Sequence, residues 1–423
     1  MTSDFRNKGA IRAALSRFAW VAASLVAGLT GACAADSGSG ATARDIAATY
    51  DEPLYMLNTN IYLDEDRTVY LVPMSSLDQD EVSLDDGREF SGVANFEAIG
   101  GRLLVSSGDA PIITEYEISD AFAWKEGKTV SFADFPLEDN ANFFYQYIVD
   151  DHHMYMPFDG YKRIVWDPTE LELGMVMDDT ALEPELDGLP IAAAGNRAGI
   201  RYEGAVMMPF FYHDENWFHF APVSHIAVYD PETHEEDKVI EAPCAGLAIA
   251  SQDEDGNTYF STWDYGPLLA LYGMAPAPCT VRVTPERELD DAFTTDFTAW
   301  TGGRYVINFN YVRDGWGFAN VLHHENFDVD FEASEIDANV EHEIWNDVNW
   351  RLWKIDLANE TAEPFEQIDV ASYGWGIIQL DGRSFMSVPY DDGARTKFYE
   401  LDDEGNVTEH LDVEGDASLI RVR

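Results

Sequence analysis

Short runs of β-branched, aromatic and aliphatic residues, each opened by a polar turn, recur along this chain from about residue 67 to its end. Gly101 leads into the run 102–105 and then 112–116, and His152 leads into 153–156 and then 163–168. Gly204 opens 205–208 and 225–231, and Gly256 opens 257–260 and 280–283. Gly303 opens 304–307 and 351–356, and Gly382 opens 383–386 and 396–401. The turns fall at 101, 152, 204, 256, 303 and 382, with intervals of 51, 52, 52, 47 and 79. A weaker copy at 67–72 makes seven units. Runs this short, bounded by turn residues, have the composition of strands. A period of about 50 residues holds one four-stranded blade. The pattern therefore predicts an all-β chain, a seven-bladed β-propeller over residues 50–423. A ring has to close, so the last run, 417–422, is expected to pair with the N-terminal unit. Two packed sandwich domains are the competing architecture, and the regular spacing argues against them.

The N-terminus reads differently. Arg6, Lys8, Arg12 and Arg17 precede an apolar run of 15 residues, 18–32, that ends in small ones. A bilayer-spanning helix needs about 20 residues, whereas a signal-peptide core is this short. Leu29-Thr30-Gly31-Ala32-Cys33 resembles a lipobox, with Thr30 at a position where Leu is usual. The expectation is a lipoprotein signal peptide over 1–32, a lipidated Cys33 and a flexible linker over 33–49. The alternative is an ordinary cleavage site that contains a cysteine. The stretch Ser37-Gly38-Ser39-Gly40-Ala41-Thr42 has the composition of a flexible tether. A lipid on Cys33 leaves Cys244 and Cys279 as an even pair, expected to form a disulfide in an oxidising compartment. Two buried free thiols are the alternative.

Charge narrows the partners. The chain of 423 residues carries a net charge of −52 and seven lysines. Removing the basic leader makes it more acidic still. Such a surface repels nucleic acid, which is excluded as a partner, and also anionic lipid headgroups. The membrane contact expected is the lipid on Cys33. With aromatics at 13% the chain is not a disordered acidic tail. Adaptation to a salty environment explains the acidity most simply, because salt screens self-repulsion.

Insertions in repeat proteins collect on one face and carry function. Three stand out, at 210–223, 263–278 and 311–350. Their aromatics and one histidine, Trp217, Trp263, Trp316, Trp345 and His323, are the candidate ligand- or partner-binding residues. The other reading of these tryptophans is loop packing. Trp166 and Trp353 lie in the repeat pattern and are expected in the core. The ten histidines show no HExxH spacing and the cysteines no paired CxxC, so no metal is expected. The turns 253–257 and 402–406 resemble the start of a calcium loop but lack its terminal glutamate, and they read better as hairpin turns. No Gly-x-Ser-x-Gly elbow, phosphate loop or dinucleotide fingerprint occurs. No catalytic residue and no cofactor is expected.

The lipobox at Cys33, the run Ile164-Val165-Trp166-Asp167-Pro168, the run Cys279-Thr280-Val281-Arg282-Val283 and the run Trp350-Arg351-Leu352-Trp353-Lys354-Ile355-Asp356-Leu357 carry a resemblance. With Asp290-Asp291-Ala292-Phe293 and Thr301-Gly302-Gly303-Arg304 they resemble the MxcI-like propeller lipoproteins found next to siderophore genes. These motifs are structural. What the resemblance implies is a non-enzymatic outer-membrane lipoprotein, accessory to iron–siderophore uptake. A small-molecule ligand or an envelope protein is the expected binding partner. The alternative from another class is an extracellular propeller hydrolase or lyase acting on a polymer.

Overall fold

The computed structural model describes residues 52–423, apart from 64–65, 80, 92–93, 108–109, 136–146, 159–160, 183–190, 195–199, 203, 214–219, 264–269, 272, 274, 327–348, 369–373 and 392. The expected leader, Cys33 and the tether lie outside the described residues. So do Trp217 and Trp345.

The chain forms seven antiparallel sheets, the blades of a propeller. Blade 1 holds β1 (Tyr55–Leu63), β2 (Asp66–Met74) and β3 (Arg88–Ser91). Blade 2 holds β4 (Ala94–Ile99), β5 (Arg102–Ser107), β6 (Ile112–Ile118) and β7 (Trp124–Ser131). Blade 3 holds β8 (Tyr147–Asp150), β9 (His153–Phe158), β10 (Lys162–Asp167) and β11 (Glu172–Asp178). In blade 4, β12 (Ile191–Ala194) and β13 (Ile200–Tyr202) both pair with β14 (Ala205–His213), and β15 (Phe220–Tyr229) and β16 (Glu236–Ala242) follow. Blade 5 holds β17 (Leu247–Gln252), β18 (Thr258–Thr262), β19 (Thr280–Val283) and β20 (Leu289–Thr295). Blade 6 holds β21 (Val306–Arg313), β22 (Trp316–Leu322), β23 (Trp350–Asp356) and β24 (Thr361–Pro364). Blade 7 holds β25 (Gly376–Leu380), β26 (Arg383–Tyr390), β27 (Arg395–Leu401) and β28 (Val407–Glu414). The last strand, β29 (Asp416–Arg421), returns to blade 1 and pairs with β1.

Most of the marked runs are the second and third strands of their blades. These strands are buried on both faces, as β14 and β22 are along their whole length. Blade 6 departs from this frame. Gly302 and Gly303, at φ 71° and 89°, terminate the four-residue helix Thr298–Thr301, and the run after them is the first strand of its blade. The turn equivalent to the others is Asp314-Gly315, at φ 49° and 79°. It matches Gly100-Gly101 at 56° and 79°, and Asp381-Gly382 at 51° and 76°. Two successive positive φ angles suit the twist of a two-residue hairpin, and they select Gly, Asp or Asn there.

Closure is built from alternating side chains. Ala417 and Leu419 of β29 enter the core shared with blade 7, beside Ile378, Phe385 and Phe398. Ile420 and Val422 enter the core shared with blade 2, beside Phe96, Leu103 and Val105. Successive residues of a strand point to opposite faces, so one short strand fills two inter-blade cores. The ladder runs from Tyr55 opposite Arg421 to Asn60 opposite Asp416. Beyond it, Val422 N–H donates to the Leu54 carbonyl at 2.8 Å.

Candidate functional site: the loop face of blades 4 to 6

Neighbouring strands within a blade are antiparallel, so every connection from second to third strand leaves the same end of its sheet. The three insertions are connections of this kind, in consecutive blades. They join β14 to β15, β18 to β19 and β22 to β23. Their boundaries are narrower than the sequence suggests. Residues 210–213 and 220–223 are strand, and 311–322 are the hairpin of β21 and β22 with its turn at the opposite end.

That reassigns Trp316. It pairs with Arg313 across the Asp314-Gly315 turn, at the far end of blade 6 from the insertions. It is 8% exposed and packs edge-on against Phe318 at 5.4 Å, with the Lys354 ammonium 4.2 Å above its ring. Trp316 is core between blades 6 and 7, and leaves the candidate site. The signal missed in the sequence was the Asp-Gly turn immediately before it.

Trp263 is on the loop face, 6% exposed, and joins a cluster with Phe211, Phe220, Ala245, Ala248 and Ile249. Phe211 and Phe220 stack at 6.1 Å and 28°, and Phe211 lies 6.5 Å from the Trp263 ring. His213 flanks both phenylalanines at 5.9 Å. The strand ends that carry the first two insertions are therefore joined by an apolar floor across blades 4 and 5. Phe211 and Phe220 were hidden within an aromatic run whose strand boundaries the sequence does not mark.

Beside this floor, Cys244 and Cys279 form a disulfide with a Cα separation of 5.8 Å. It ties the passage between blades 4 and 5 to the end of the second insertion. Hydrogen bonds reinforce the junction. The Thr262 hydroxyl donates to the Ala245 carbonyl at 2.7 Å and accepts from Cys279 N–H at 3.0 Å. The Ser224 hydroxyl donates to the Cys244 carbonyl at 2.7 Å, and Trp263 N–H to the Gly246 carbonyl at 2.9 Å. The disulfide closes a loop with a sequence separation of 35. In the chain-entropy account such a loop contributes about 3–4 kcal/mol. The double variant Cys244→Ala, Cys279→Ala should lose that amount in denaturant unfolding, and dithiothreitol should shift the wild type alone. Equal midpoints for the two proteins in oxidising buffer would contradict the staple.

The third insertion is anchored by polar contacts. The Trp353 indole N–H donates to His323 Nε2 at 3.2 Å, so that nitrogen carries a lone pair. His323 Nδ1 then donates to Glu325 Oε1 at 3.1 Å. The Arg304 guanidinium reaches the same Glu325 oxygen at 2.7 Å and the Thr301 carbonyl at 3.2 Å. Burial holds the imidazole pKa of His323 below its ordinary value, which favours the neutral ring that the indole contact requires. The hydrogen bonds from Arg304 hold Glu325 down to about 2. His323 N–H also donates to the Asn349 carbonyl at 2.8 Å, which closes the base of the insertion. His323 is thus a fixed part of the frame, with its ring atoms committed to Trp353 and Glu325.

The acidic turns are hairpin turns. Asp253 accepts from the backbone of Asp255 and Asn257 and from the Asn257 and Tyr259 side chains. Asp402 accepts from the backbone and side chain of Asn406. Among the described residues no group of three or more His, Cys, Asp or Glu could hold a metal ion. Among them, too, no helix is long and apolar enough to cross a membrane.

No protein-family profile matches the chain, and no curated protein sequence is similar to it. Solved structures with a similar course include the dihydro-heme d1 dehydrogenase NirN in complex with DHE. It is 10% identical, with 89% of this chain and 78% of that one covered and a TM-score of 0.41. Apo AztD from Citrobacter koseri is 12% identical, with 88% and 99% covered and a TM-score of 0.37.

Proposed function

We propose that this protein is a non-enzymatic, lipid-anchored component of a bacterial cell envelope whose propeller binds a ligand or partner protein through the loop face of blades 4 to 6. The observation that carries the reading is the placement of three long second-to-third-strand connections in consecutive blades, on one end of the ring. A rigid scaffold that presents adjacent variable loops is the usual construction of a recognition surface. The floor of Phe211, Phe220 and Trp263, the disulfide and the Arg304–Glu325–His323 chain fix the roots of those loops, which lowers the entropy cost of binding. The sequence of the connections adds Trp217 and Trp345, side chains suited to contact at low entropy cost. The lipobox resemblance supports an anchor at Cys33, and the resemblance to siderophore-associated lipoproteins supports a role beside iron uptake.

A deletion strain tests this reading. It should grow like its parent in iron-replete medium and more slowly when a chelator limits iron, with complementation by the wild-type gene. A Cys33→Ala protein should move from the membrane fraction to the soluble one. Equal growth under iron limitation removes the uptake role, and membrane retention of Cys33→Ala removes the anchor.

A further inference from the structure

The outermost strand of a propeller blade is a free sheet edge, and such edges invite pairing with another chain unless charge blunts them. Six of the seven outer strands here are blunted. β3 carries Arg88 and Glu89, and β7 carries Lys125, Glu126 and Lys128. β16 carries Glu236, Asp237, Lys238 and Glu241, and β20 carries Asp290 and Asp291. β24 carries Glu363 and Pro364, and β28 carries Glu409, His410, Asp412 and Glu414. β11 is the exception. Between Glu172 and Asp178 its sequence is Leu-Gly-Met-Val-Met, without a charge. It ends its sheet, pairing with β10. Leu173, Met175 and Val176 are 36%, 52% and 44% exposed and are the exposed large hydrophobics among the described residues.

A register shift opposite Ile164 and Trp166 accommodates Gly174, where a Cβ would meet the Val165 carbonyl oxygen at 2.5 Å. The shift does not set this strand apart, because β7, β16, β20 and β28 also shift against their neighbours. The run of five uncharged residues at its centre does. Acids stand at both ends of the apolar stretch. Glu172 begins the strand, and Glu170 precedes it in the turn. Asp178 ends it, and the hydroxyl of Thr180, with its backbone N–H, holds that carboxyl below the usual range and keeps it ionised. Lys162 is the cation opposite Asp178 on β10.

We infer that the free edge of β11 is a docking site for an extended segment of a partner protein, apolar in its centre and basic at its ends, that adds to blade 3 as a further strand. Backbone hydrogen bonds supply affinity in such augmentation, and side chains set specificity. Apolar side chains of the segment would cover Leu173, Met175 and Val176, and basic ends would face Glu170, Glu172 and Asp178. A second copy of this chain is the poorer occupant. In two-fold antiparallel pairing about Met175, Glu172 would face Asp178 of the other copy, between molecules that each carry a net charge of −52.

The probe is a fluorescent peptide of alternating valine and threonine with two lysines at each end, read by anisotropy on the mature protein. Two control peptides accompany it: one with glutamates at the ends, and one N-methylated on alternate residues so that it cannot extend a sheet. The expected result is saturable binding of the lysine peptide, at least tenfold weaker for either control. The variant Met175→Gln, Val176→Gln keeps the charge and changes only exposed side chains. It should also bind at least tenfold more weakly at an unchanged melting temperature. The inference is overturned if the wild type does not bind, or if the N-methylated peptide or the double variant binds as well as the reference, which would mean a general attraction of base to acid. It is equally overturned if the wild type is a dimer in solution that the double variant converts to a monomer.

Discussion

Deleting residues 417–423 is expected to remove most of the stability of the whole ring. Leu419, Ile420 and Val422 are each nearly inaccessible, and they lie in two different inter-blade cores. Burying one such side chain is worth about 1.5–3 kcal/mol, so three are worth roughly 5–9 kcal/mol. That is of the order of a typical domain's entire stability. The deletion also leaves the edge of β1 unpaired and thins the cores that blade 1 shares with blades 7 and 2. Urea unfolding of the truncated protein, followed by tryptophan fluorescence, should give a midpoint far below that of the full chain, or no folded baseline. A midpoint within the range of a frayed terminus would contradict the closure.

The second large effect is expected at Arg163, on the third strand of blade 3. Its side chain is 1% exposed, ion-paired to Asp179 and hydrogen-bonded to the His234 carbonyl. The guanidinium lies 3.6 Å from the Tyr229 ring centroid and 5.0 Å from that of Tyr155. Tyr155 in turn bonds His234 Nδ1 at 3.0 Å, and the His234 ring lies 4.5 Å from that of His153. Arg163 therefore joins blade 3 to the Asp230–Glu235 turn of blade 4. Removing one partner of a buried pair strands the other charge and costs about 3–5 kcal/mol. Arg163→Ala should lose that much in urea unfolding. Arg163→Lys should recover little, because an ammonium cannot reproduce a planar fork stacked on an aromatic ring. The pair Arg163→Met, Asp179→Leu should lose less than Arg163→Ala alone. A loss below about 1 kcal/mol for Arg163→Ala would show that the contact is not structural.

The seven units were legible because the second and third strands of each blade are buried on both sides, so their residues form continuous apolar runs. The outer strands were not legible. β7 and β11 are exposed along most of their length, and their sequences follow solvent rather than a core. The last run, 417–422, announced closure because a ring without it would leave two raw edges, and β29 fills that role. The Gly303 frame misled because a helix end and a hairpin turn both select glycine at positive φ. The same ambiguity puts Trp316 in an insertion by sequence, whereas it belongs to β22. The disulfide partners followed from counting cysteines, whereas the floor of Phe211, Phe220 and Trp263 did not. Its members come from β14, β15 and the end of β18, and only the fold brings those strand ends together.

Of the site residues expected from sequence, Trp263 and His323 stand at the roots of the insertions and Trp316 stands elsewhere. Trp263 and His323 are tied into the scaffold. The most direct test of the loop face replaces 214–219, 264–269 and 327–348 with short Gly/Ser turns in the chromosomal gene and leaves Trp263, His323 and the disulfide intact. Growth is then compared under iron limitation with the wild-type and deletion strains, after the purified variant has been shown to melt like the wild type. The variant should grow like the deletion strain. Growth like the wild type, from a folded and correctly located variant, would contradict the assignment of recognition to this face.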